Sequence, residues 1–175
     1  MPMLEALIFV VFPFCMLFAA ISDTLSMTIA NRVPVLLVLV FAVVAPMTGM
    51  DWAQYGLHFA AGVTVLLVTF ALFAMGGMGG GDAKLLAASA VWMGMGIPLV
   101  KYIVVSAVLG GVLTLAILSY RKSAIAVFTS RNMFMRNFAE GTNGVPYGIA
   151  LGAGGLLVFP ESPLMVWALE QLATQ

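Results

Sequence analysis

Two carboxylates are the side chains best placed to do chemistry in this chain. Asp82 follows a glycine run in MGGMGGGDAKLLAA, residues 75–88, and Asp23 closes a long apolar run in SDTLSMTIANR. Ionisable groups at or within a bilayer boundary are costly, so they tend to face a bundle interior or a water-filled cavity. Two such groups at hydrogen-bonding distance cannot both ionise cheaply, and they share one proton. The ionised member can then take a proton from water while the protonated member gives one to a substrate oxygen, as in aspartic proteases.

The neighbouring residues fit that chemistry but also have plainer uses. Gly79, Gly80 and Gly81 allow positive φ and leave no Cβ in the way of an extended substrate strand. However, Gly76 with Gly80, and Gly77 with Gly81, have the small-xxx-small spacing of close helix packing, and Asp82 could simply cap the helix it opens. Lys84 points to a different side of that helix from Asp82, where it either holds a ligand such as a lipid phosphate or snorkels to the interface. Asn31 either hydrogen-bonds its loop or a substrate backbone, or serves a plain turn. Together Gly79, Gly80, Gly81, Asn31 and Lys84 are the substrate-binding candidates beside the two acids.

Membrane helices must position these residues. The chain has 175 residues, 63% of them hydrophobic and 8% charged, against roughly 45–50% apolar and about 25% charged in soluble domains. It therefore reads as an all-α, polytopic membrane bundle in contact with the lipid bilayer. A spanning helix needs about 20 mostly apolar residues, somewhat fewer where flanking groups snorkel or the bilayer thins. About six segments qualify on that basis: Leu4–Ile21, Val33–Met47, Leu57–Met75, Ala83–Ile97, Leu99–Ser119 and Val145–Phe159. The fourth is short, and the MGMGIP junction suits either a tight turn or a kink in one longer helix. Two helices separate Asp23 from Asp82, so parity puts both acids on one membrane face.

Alternation also gathers Arg32, Lys84, Arg121, Lys122, Arg131 and Arg136 on that face and leaves Lys101 near the other. The positive-inside bias makes the first face cytoplasmic and the N-terminus periplasmic. The start, with Glu5 where a secretory signal would carry basic residues, reads as a retained helix. The basic connection at about 120–144 reads as an amphipathic segment lying on the membrane, or as a loop that only sets topology. The whole chain, 1–175, reads as a single membrane-embedded domain.

Several function classes are excluded. Seven basic and seven acidic residues cancel, so no global field would draw nucleic acid. The glycine run is followed by no Lys-Ser or Lys-Thr and preceded by no strand, so it is neither a P-loop nor a dinucleotide fingerprint. Cys15 has no partner for a disulfide or a zinc knuckle and reads as a lipid-facing or core thiol. His58 falls on the outer side, far from the acids, and reads as an interfacial residue rather than a catalyst or metal ligand. No metal and no cofactor is expected.

GGGDAKLLAASAVWMG resembles the GxGD signature of the type IV prepilin peptidases, most of all the small Tad-type, or CpaA-like, members. SDTLSMTIANR resembles that family's first motif, with Asp23 and, eight residues later, Asn31; Ala30 stands where proline is usual. VPYGIALGAG resembles its last helix, opened by Pro146 and Tyr147. The resemblance implies that Asp23 and Asp82 are the catalytic pair of an aspartic endopeptidase. That enzyme sits in a bacterial inner membrane, faces the cytoplasm and cuts the leader from Flp-like prepilins and pseudopilins. Larger relatives also methylate the new N-terminus, using a loop with a cysteine tetrad; one cysteine and no room for that loop give methylation no support here. The alternative is a non-enzymatic membrane protein, a proton-coupled carrier or pilus-assembly subunit, whose two acids form a relay or a partner site. Oligomeric state is not legible.

Overall fold

The structure is a computed structural model that describes residues 2–123 and 144–174. The amphipathic segment expected in the basic connection lies outside the described residues. Every regular element described is helical. In chain order they are α1 (Pro2–Ser26), α2 (Arg32–Met47), α3 (Trp52–Ala74), α4 (Gly80–Met93), α5 (Ile97–Arg121), α6 (Gly148–Val158), a 3₁₀ turn (Phe159–Glu161) and α7 (Pro163–Ala173).

The central element is α4, which carries a buried side chain at every position from Leu85 to Met93. A helix apolar on all sides belongs inside a bundle, and α2 and α3 both pack against this one. Its far end is pinned twice. Trp92 Nε1 donates to the Leu37 carbonyl of α2 at 3.0 Å, and His58 Nδ1 of α3 meets the Val91 carbonyl at 2.7 Å. Phe12, Phe41, Trp92 and Phe159 close the same end with stacked, tilted and edge-to-face ring pairs.

About six spans are expected from the sequence; among the described residues the count by length and apolarity alone is lower. Three helices, in α1, α3 and α5, are long and apolar enough to cross a membrane, and a fourth span results if the bent pair after Gly148 counts as one. α2 and α4, at 16 and 14 residues, fall short of that length. The apolarity of α4 serves burial among other helices. The chain also continues past Phe159 into α7, which the span count did not contain; it bends by 48° from the preceding segment. Pro160, Pro163 and Glu170 interrupt the hydrophobic run there.

Helices α4 and α5 are separate, with Gly94 in a left-handed conformation, φ +70°, at the break. A Cβ at Gly94 would lie 2.7 Å from His58 Cε1. His58 is thus not interfacial: it is 2% exposed, locked between α3 and the end of α4. Cys15 lies buried in the core. At that end of the bundle Lys101 pairs with Glu161.

Candidate active site

Asp23 sits on the last turn of α1 and is only 6% exposed. Its Oδ2 accepts the Gly148 N–H, at the start of α6, at 2.7 Å. That bond demands a very close approach of two helices, which glycine provides. Gly148, Gly152 and Gly155 recur at the spacing of one helix face. A Cβ at Gly148 would lie 2.8 Å from Asp23 Cβ, and one at Gly152 would lie 2.8 Å from the Met16 carbonyl oxygen. Four residues after Asp23, Met27 adopts φ 53°, a left-handed conformation rare for a non-glycine residue. It ends α1 and turns the chain toward Asn31.

Asp82 occupies the third position of α4, after the N-cap Gly79. Its carboxylate turns back toward the Gly79 backbone, the side on which a helix start presents its orphan N–H donors. The positive φ expected within Gly79–Gly81 falls instead on Gly76, at +76°. Gly79 is extended, with φ −69° and ψ 140°. What position 79 requires is space, since a Cβ there would lie 2.7 Å from Asp82 Oδ2.

The structure brings the two acids together. Both line a cavity of about 290 Å³ with Thr28, Asn31 and the Gly79–Gly81 run, and both line a neighbouring cavity of about 740 Å³ between α3, α5 and α6. They are near enough for the charge on Asp23 to act on Asp82. The larger cavity also carries the polar side chains of Thr69, Ser106, Thr114 and Tyr147. The Tyr147 ring seats on α5 where a Cβ at Gly110 would collide with it, and its hydroxyl donates to the Ser106 carbonyl at 3.4 Å.

Of the remaining candidates, Gly79, Gly80 and Gly81 face the smaller cavity. Lys84 turns away from the acids, as its position on the helix required. Its Nζ donates to Asn31 Oδ1 at 3.0 Å, so Asn31 bonds across to α4 rather than within its own turn. Sequence reasoning missed Gly148, whose contribution is a backbone N–H with no side chain to read. It also missed Thr69 and Ser106, for which a signal existed: each is a buried hydroxyl residue on an otherwise apolar membrane helix. Among the described residues, no group of three or more His, Cys, Asp or Glu is placed to hold a metal ion.

Apolar helices long enough to cross a membrane, around paired carboxylates that open on a cavity with polar side chains, place the chain among multi-pass membrane proteins. More specifically, the chain belongs to the type IV leader peptidase family, whose model matches residues 10–119. That span includes Asp23, Asn31, the glycine run, Asp82 and Lys84. Comparison with curated proteins and with solved structures returned no significant match.

Proposed function

We propose that this protein is an aspartic endopeptidase of the GxGD type that removes the leader from Flp- or type IV-like prepilins. The observation that carries the reading is the shared cavity of Asp23 and Asp82, within a chain of the leader peptidase family. Water held between the acids is the nucleophile. The ionised carboxylate takes a proton from it as its oxygen bonds to the scissile carbonyl carbon, while the protonated carboxyl gives its proton to the carbonyl oxygen. Collapse of the tetrahedral intermediate breaks the C–N bond. The proton taken from water passes to the leaving nitrogen, and the second acid recovers its own.

The fixed hydrogen bond from Gly148 occupies Asp23 Oδ2, so in this mechanism Oδ1 is the oxygen that exchanges protons. The substrate must be unwound at the cut, because carbonyls paired within a helix are shielded from attack. Gly79–Gly81 lie along the smaller cavity, where an extended strand would meet backbone rather than side chains. The basic residues on the acids' face support a cytoplasmic active site, a periplasmic N-terminus and residence in a bacterial inner membrane.

The test is co-expression with a Flp-like prepilin and comparison of the parent with Asp82→Asn. The parent is expected to shift the prepilin to its mature size and the variant to leave it unprocessed at equal abundance. Processing by the variant, or none by the parent, would remove the reading.

A further inference from the structure

On the side of α4 away from the larger cavity, α2 and α3 both pack on α4 and meet each other at one end, where Phe41 contacts Tyr55, His58 and Phe59. They leave a slot of about 570 Å³ whose walls include Val35, Val38, Val63 and Leu66 and whose floor is Ala87, Ala88 and Val91. Along α4 it runs from Lys84 to Val91, roughly 10 Å at 1.5 Å per residue, or about two helical turns. Its lining is apolar except at one end, where Asn31 and Lys84 hydrogen-bond across the mouth. Asn31 also lines the smaller cavity that holds both carboxylates. The slot's polar end and the candidate active site thus share one wall residue, Asn31.

We propose that this slot receives the apolar helix of the polypeptide substrate, with the helix beginning at the Asn31–Lys84 mouth so that the residues just before it reach Asp23 and Asp82. The inference rests on the peptidase reading and adds where the uncut part of the substrate lies. The small floor residues allow another helix to come close, and the polar mouth falls where that helix must give way to extended chain. The larger cavity mixes apolar residues with four hydroxyl side chains and both acids and is the poorer host for an apolar helix. It suits water and the departing polar segment.

The experiment uses full-length protein in detergent micelles and two substrates, one carrying the apolar helix and a short peptide that spans the cut without it. The parent is expected to prefer the helix-bearing substrate in kcat/KM. Val35→Trp and Val63→Trp, exposed residues on opposite walls, should shrink that preference roughly tenfold or more, chiefly through KM. Val112→Trp, on the outer face of α5, should leave it intact. A photo-crosslinking residue at position 63 should capture the substrate, whereas one at 112 should not.

Unchanged preference in both wall variants, an equal fall in Val112→Trp, or capture of phospholipid alone at position 63 would overturn the proposal. If the parent cut neither substrate, the peptidase reading itself would fall, a result distinct from normal cleavage with indifferent wall variants.

Discussion

Gly148→Ala is the smallest change that should disable the site. The added methyl would lie 2.8 Å from Asp23 Cβ and 2.9 Å from Oδ2. Because the first of these atoms is the root of the side chain, the collision cannot be relieved by rotating a terminal group. Either α6 or the end of α1 must move by several tenths of an ångström, stretching the 2.7 Å bond from the Gly148 N–H. A hydrogen bond to a charged group is worth about 1.5–3 kcal/mol, and 1.36 kcal/mol is tenfold in rate. A loss of about 10- to 150-fold in kcat follows if the bond's full worth is felt in the transition state. The same movement displaces Asp23 relative to Asp82, and misplacement by 1 Å can by itself cost about 100-fold. The assay is leader cleavage per unit of folded, detergent-extracted protein. Gly111→Ala is the control, since a Cβ there meets nothing within 4 Å. Specific activity for Gly148→Ala equal to the control's would refute the assignment of the α6 start to the site.

Gly152→Ala should lower thermal stability and yield by about 1–3 kcal/mol through overpacking against the Met16 backbone, with specific activity kept; a selective loss of activity instead would show that this face reaches the chemistry. Gly79→Ala should reduce cleavage with little change in stability, because its methyl displaces only the Asp82 carboxylate, and parent-like cleavage would count against that contact. His58→Ala should destabilise the bundle by about 1–3 kcal/mol, since it leaves the Val91 carbonyl without its 2.7 Å partner, and a melting temperature equal to the parent's would contradict the pin. A reporter fused after Arg136 should prove cytoplasmic and one fused at Gln175 periplasmic; the opposite pair would overturn the proposed orientation.

The pairing of Asp23 with Asp82 in one cavity was legible because two helices, α2 and α3, separate them, and an even number of helices running up and down returns the chain to the end of the bundle it left. Span lengths were less legible. Hydropathy cannot distinguish a helix buried among helices from one buried in lipid, so it did not single out α4 as the bundle's core. His58 was misplaced for a related reason: its position along the helix was read correctly, but the face it presents depends on the Val91 carbonyl and on Gly94, which lie 33 and 36 residues away. The glycine run beside Asp82 was noticed for backbone freedom, whereas at Gly79 the need is room for a carboxylate. Gly148 was hidden more deeply. A backbone N–H has no residue type, and only the spacing of Gly148, Gly152 and Gly155 hinted that α6 comes close to another helix.

The central claim is that Asp23 and Asp82 together activate water to cut a leader peptide. Its most direct test is mass-spectrometric detection of the cut product from purified protein and a prepilin-type substrate, in the presence of a metal chelator, for the parent, Asp23→Asn and Asp82→Asn. The account predicts one new N-terminus with the parent, unaffected by the chelator, and no product from either variant at equal amounts of folded protein. Product from either variant, or its loss from the parent on chelation, would contradict it.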